Sequence, residues 1–130
     1  MMRPAVWLIT VACTAQALGY LSAINEHVGE AAWPPHAQFH LVEGRIWLTA
    51  LNLAMIVLAW NPLQRGERWS LWLVTVLFAA AHSAYWLAKL AVPADQHVDP
   101  PEYILGMLAM ALVGAVGVAL AWWAAPRSPS

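Results

Sequence analysis

His36 and His40 stand four residues apart, Glu43 follows three residues later, and His82 sits in a later apolar run. Imidazole and carboxylate are the side chains best suited to passing protons near neutral pH. At 100° per residue, His36, His40, Glu43 and Trp47 fall on one stripe of a helix, and Arg45 falls on the other side. Thr75, His82, Trp86 and Lys89 make a second stripe, and Cys13, Gln16 and Tyr20 share a third. Turned inward, the three stripes line one polar pocket. Glu43, His40, His82 and His36 are its candidate catalytic groups, and Tyr20, Gln16, Trp47, Tyr85 and Trp86 its candidate substrate-binding groups. Such a set fits acid–base chemistry that consumes no cofactor: isomerisation, cyclisation, or opening of an epoxide.

Other readings stay open beside it. His36 and His40 on one face, joined by His82, form an alternative metal set, or one of them ligates haem b. An i, i+4 histidine pair is common by chance, and no cysteine cluster or HExxH supports it. Lys89 has the length to snorkel toward headgroups. His97, Asp95 and Asp99 read as solvated loop residues, and Asp99 with Glu102 has the spacing of a helix cap. A non-catalytic membrane subunit or small-molecule binder accounts for the same residues without turnover.

The elements that must position these groups are membrane helices. Hydrophobic residues make up 62% of the 130-residue chain and charged residues 10%, against about a quarter charged in soluble proteins. Four apolar segments, about 4–25, 36–60, 69–92 and 102–124, are each long enough to cross a hydrocarbon layer of about 30 Å. Backbone groups in lipid must be paired within their own segment, which favours helices. The short connections, rich in Pro and Gly, predict antiparallel neighbours, so the expected fold is a single all-α domain over 1–130, an up-down-up-down four-helix bundle. Pro34 and Pro35 suit the first turn of the second helix, and Asn61-Pro62 is expected to end it. Gly106, Gly114 and Gly117 mark the fourth helix as a close-packing one.

Arg3, Arg65, Arg68 and Arg127 fall on one side of this topology, while the connections holding Glu26, Glu30, Asp95 and Asp99 carry no Lys or Arg. The positive-inside rule therefore places both termini in the cytoplasm. Trp60, Trp69, Trp122 and Trp123 form an inner aromatic belt, and Trp33 marks the outer boundary. The first segment has the positive start and apolar run of a signal peptide, but its length and its polar Gln16 and Tyr20 favour a retained helix. A carboxylate such as Glu43 inside hydrocarbon costs several kcal/mol unless paired or protonated, and His82 lies near midplane. Cys13 stands alone and reads as a small packing residue. The scattered basic residues form no stripe that follows a phosphate backbone, so nucleic acid is not an expected partner. Membrane lipid and a lipophilic substrate are, and the lateral surface of so small a bundle leaves a homo-oligomer open.

The stretch NEHVGEAAWPPHAQFH resembles the signature of an uncharacterised family of small four-helix membrane proteins, in which Trp-x-Pro-His-Ala-x-Phe/Tyr-His opens the second helix. His27, Trp33, Pro35, His36, Ala37, Phe39 and His40 are the matching residues, and DPPEYILG at the start of the fourth helix is also similar. That resemblance implies a site at His27, His36 and His40 and no particular reaction. In architecture alone the chain is similar to emopamil-binding sterol isomerases and to styrene oxide isomerases, whose motifs do not align with it. They imply a class: small membrane isomerases whose apolar substrate arrives from the bilayer.

Overall fold

The computed structural model describes residues 2–25, 27–91 and 101–125. Among the described residues four helices carry the fold: α1 (Met2–Ser22), α2 (Pro35–Leu58), α3 (Arg68–Ala91) and α4 (Pro101–Ala124). All four are long and apolar enough to cross a membrane. The boundaries lie within a few residues of those expected. Asn25, expected to be helical, instead belongs to the α1–α2 loop, and the loop residues Glu26, Asp95, His97 and Asp99 and the tail residue Arg127 fall outside the described residues.

α1 packs along both α2 and α4, whereas α3 stands across from it and touches α2 and α4 more sparingly. Neighbours in space are thus neighbours in sequence or the two chain ends, the arrangement of an antiparallel bundle. One end, here called proximal, holds the N-terminus, the α2–α3 link and the end of α4. The α1–α2 loop lies at the other, distal end.

The apolar core lies in the proximal half. Val6, Ile9 and Cys13 of α1 meet Met55, Ala59 and Leu63 from the end of α2, Leu71, Val74 and Phe78 from the start of α3, and Val118 and Ala121 from α4. Two glycines make this close approach available. A Cβ on Gly114 would overlap the Phe78 ring and come within 3.2 Å of the Ala12 Cβ, and one on Gly117 would come within 3.0 Å of the Ile9 backbone nitrogen. Gly106, expected to share this role, faces open space.

Asn61-Pro62 does not end α2. The chain continues through a π-turn over Ala59–Leu63 that encloses Pro62, and the backbone N–H groups of Gln64 and Glu67 donate to the Ala59 and Pro62 carbonyls. Proline lacks an N–H and its ring crowds the preceding turn; the wider turn takes up that misfit without breaking the helix. Indole N–H groups then tie the proximal end together: Trp60 donates to Thr10 Oγ1 at 2.9 Å, and Trp122 to Thr75 Oγ1 at 2.9 Å.

Candidate functional site

The rotation of α2 corrects the expected pocket. Its buried residues are Thr49, Asn52 and Met55, continued by Ala59 and Leu63, with Arg45 half-buried one turn before Thr49. Arg45 therefore lies on the inward stripe, while His36, His40, Glu43 and Trp47 face outward. Trp47 is 68% exposed. The two stripes are separated on the helix as expected, but the inward one is the stripe continuous with the small and apolar residues that pack on α1.

The outward groups form a chain of their own. Glu43 Oε2 lies 3.0 Å from His40 Nδ1, and His40 Nε2 lies 3.1 Å from His36 Nε2. A carboxylate only accepts, so the His40 Nδ1–H donates to it. Arg3, Trp7, Trp60 and Gln64 line one shallow groove, which sets the start of α1 level with the end of the π-turn. α1 has 21 residues and α2 with its π-turn has 29; at about 1.5 Å per residue the excess carries α2 about 12 Å past the distal end of α1. Glu43 is level with that end, and His36 and His40 lie beyond it. The carboxylate is exposed and lies near the distal end of the bundle.

The neighbouring loop is built around Gln38. Its Oε1 accepts from the Gly29 N–H at 2.8 Å, and its Nε2 donates to the Glu30 and Trp33 carbonyls. His27, in the left-handed region at φ 67°, stacks on Trp33 with centroids 4.5 Å apart and places Nδ1 3.0 Å from Glu30 Oε2. Gln38 thus links the loop to the first turn of α2, the turn that begins with Pro35 and His36.

A second polar group lies inside the bundle. Ala12, Phe78 and Gly114 meet at one level. One turn farther toward the distal end come Gln16 on α1 and His82 on α3, 5% and 7% exposed. Trp7 and Trp60 pack edge to face at 4.9 Å; counting from this contact places the fully buried Asn52 of α2 at about the level of Gln16. Phe78 stacks on the His82 ring at 3.9 Å and forms the floor. Four polar atoms of this layer have no hydrogen-bond partner: Gln16 Nε2 and Oε1, Asn52 Oδ1 and His82 Nε2.

His82 Nδ1 lies 3.1 Å from the Phe78 carbonyl, an acceptor. That bond assigns the proton of the neutral ring to Nδ1 and leaves the lone pair on Nε2. The layer therefore offers one imidazole lone pair, one amide acceptor and one complete amide. This combination suits a group that both donates and accepts, such as a hydroxyl. A porphyrin plane beside Nε2 would have to part helices closed around a ring only 7% exposed, so haem does not fit this packing. His82 is also separated from His36 and His40 by about two turns or more along the bundle axis, so the three-histidine metal set does not form. Among the described residues no group of three or more His, Cys, Asp or Glu side chains gathers around one point.

Of the other expected residues, Tyr20 is half-buried one turn above Gln16, and Tyr85 is half-buried against Tyr103 of α4 at 5.7 Å. Trp86 points out, and Lys89 Nζ lies 5.3 Å from the Tyr85 ring centre. Asn52 and Thr49 were not anticipated. Their signal was present in the sequence: polar residues three apart in mid-span, on the same face as Arg45 and in phase with Met55 and Ala59. Comparison of the chain with protein families, curated proteins and solved structures gives no match.

Proposed function

We propose that the chain is a multi-pass membrane enzyme catalysing a mass-neutral rearrangement, isomerisation or cyclisation, of a lipophilic molecule bearing a carbonyl and a hydroxyl group. The reading rests on the Gln16–Asn52–His82 layer, where four polar atoms inside a membrane span lack partners. Orphan groups of this kind cost about 1–3 kcal/mol each unless something completes them, and a polar substituent on an apolar ligand does so. Both termini face the cytoplasm in this proposal, with Arg3, Arg65 and Arg68 at the proximal end, and the layer sits toward the outer leaflet. The substrate arrives from lipid between α2 and α3, whose buried apolar residues cluster at the proximal end.

In the proposed reaction His82 Nε2 takes a proton from a carbon or hydroxyl of the bound molecule and returns it to another atom of the same molecule, so no atom is gained or lost. The Gln16 amide N–H donates to the oxygen as negative charge develops on it, and Asn52 Oδ1 holds a substrate hydroxyl. Tyr20 and Tyr85 shape the distal wall. The test incubates purified protein with a nonpolar extract of its host membranes and follows products by chromatography and mass spectrometry. A new compound of unchanged mass, formed by wild type and lost in a folded His82→Gln variant, is the expected result. If wild type leaves the extract unchanged, or the variant turns it over equally well, the enzyme reading falls.

A further inference from the structure

We infer that His36 and His40 form a binding site for a borderline divalent cation of the zinc, nickel and copper class, with Glu43 as the positioning residue. The inference uses none of the residues of the interior layer and stands or falls separately from the proposed reaction. The two Nε2 atoms face each other at 3.1 Å, with ring planes at 85°. His40 commits Nδ1–H to Glu43 at 3.0 Å, so the neutral ring keeps its lone pair on Nε2, aimed at His36. Either a proton of His36 or a cation must lie between the two nitrogens. With metal–nitrogen bonds of about 2.0–2.1 Å, tetrahedral coordination sets two imidazole nitrogens about 3.3 Å apart, so the pair has to open by only a few tenths of an ångström.

The carboxylate is the second support. A metal-bound histidine almost always donates its other ring N–H to a carboxylate, a carbonyl or water, which fixes the tautomer and raises the basicity of the ligating nitrogen. Glu43 does this for His40 with no metal needed to assemble the arrangement. The rings are also fixed in place by the helix: four residues apart on α2, they project from successive turns of one face. Both lie beyond the distal end of α1, where a hydrated ion can reach them and water can fill the remaining coordination positions. Imidazole pairs of this kind select zinc, nickel or copper over the hard ions magnesium and calcium, which take oxygen ligands.

The test uses the full-length protein in detergent, stripped with a chelator, and titrates it with Zn²⁺ by calorimetry and with Cu²⁺ by electron paramagnetic resonance. One Zn²⁺ per chain is expected, with a Cu²⁺ spectrum showing coupling to two nitrogens and no competition from excess Mg²⁺. His36→Ala and His40→Ala should each remove the site. Glu43→Gln should keep it but weaken it about 10-fold or more, while His27→Ala should leave the affinity unchanged. All four residues are on the surface, and unchanged melting temperatures would show that the variants fold. Binding that survives His40→Ala, or an affinity in Glu43→Gln equal to wild type, overturns the assignment and reduces the pair to two independent surface imidazoles.

Discussion

The surface chain on α2 and the buried layer between α1, α2 and α3 are both built around histidine and differ in burial and in how far their hydrogen bonds are met. On the surface, His40 has partners on both ring nitrogens although it is more than half exposed: Glu43 on one side, His36 on the other. In the interior, His82 has a partner on one nitrogen only, and Gln16 has none on either amide atom. Solvent would have completed the exposed groups at little cost, whereas the buried ones have no water to fall back on. Unmet hydrogen bonding is informative where it is expensive, and for this reason the interior layer, and not the more conspicuous histidine pair, is the better candidate for substrate chemistry.

Four experiments bear on that contrast, from the largest expected effect to the smallest. Removing the proton carrier should separate the regions most sharply: His82→Gln is expected to lower turnover by about 10²–10⁴-fold, while His40→Ala leaves it within a few-fold, both read as product formed per milligram of folded protein. Equal losses in the two variants would erase the distinction. Filling the floor comes next. Gly114→Leu must displace Phe78 or push α4 from α1, and overpacking of this kind costs about 1–3 kcal/mol, seen as a lower melting temperature in detergent.

Replacing the open amides tests whether the layer is retained for function. Gln16→Leu combined with Asn52→Leu deletes three of the four orphan atoms. The double variant is expected to melt no lower than wild type and, by the cost of unmet polar groups, up to about 2 kcal/mol more stably, while losing activity; a strongly destabilised protein would mean that these amides hold the fold. The smallest effect belongs to the surface. Glu43→Gln should change stability by less than about 1 kcal/mol, the usual range for an exposed ion pair, as measured by the same melting curves.

The sequence made the helices legible because length and hydrophobicity alone determine which segments can cross a bilayer. It also located His82 and Gln16 as groups that need an interior explanation. It did not reveal the rotation of α2. That helix has two polar stripes, and composition favoured the richer one with His36, His40 and Glu43. The choice was made by packing: Met55, Ala59 and Leu63 sit against α1, and the face in phase with them carries Asn52, Thr49 and Arg45. The excess length of α2 was equally hidden, because an apolar run does not show how far its neighbour extends. Pro62 misled for a related reason. A proline ends most helices, and only the surrounding turn shows that this one is enclosed by wider winding.

That wider winding reaches well beyond its own five residues. A π-turn holds about one residue more than an α-turn, and one residue corresponds to about 100° of rotation. The segment Ala59–Leu63 therefore acts as a phase adjuster for the whole of α2. Winding this segment as an ordinary α-helix with every residue kept would turn the distal half of the helix by roughly a quarter of a revolution relative to the α2–α3 link, swinging Asn52 away from the bundle axis and changing which residues face outward. A one-residue deletion in the same segment removes the extra residue instead, so the turn closes as an α-turn and Asn52 keeps its place; the chemistry of the distal half depends on winding and residue count changing together at the proximal end.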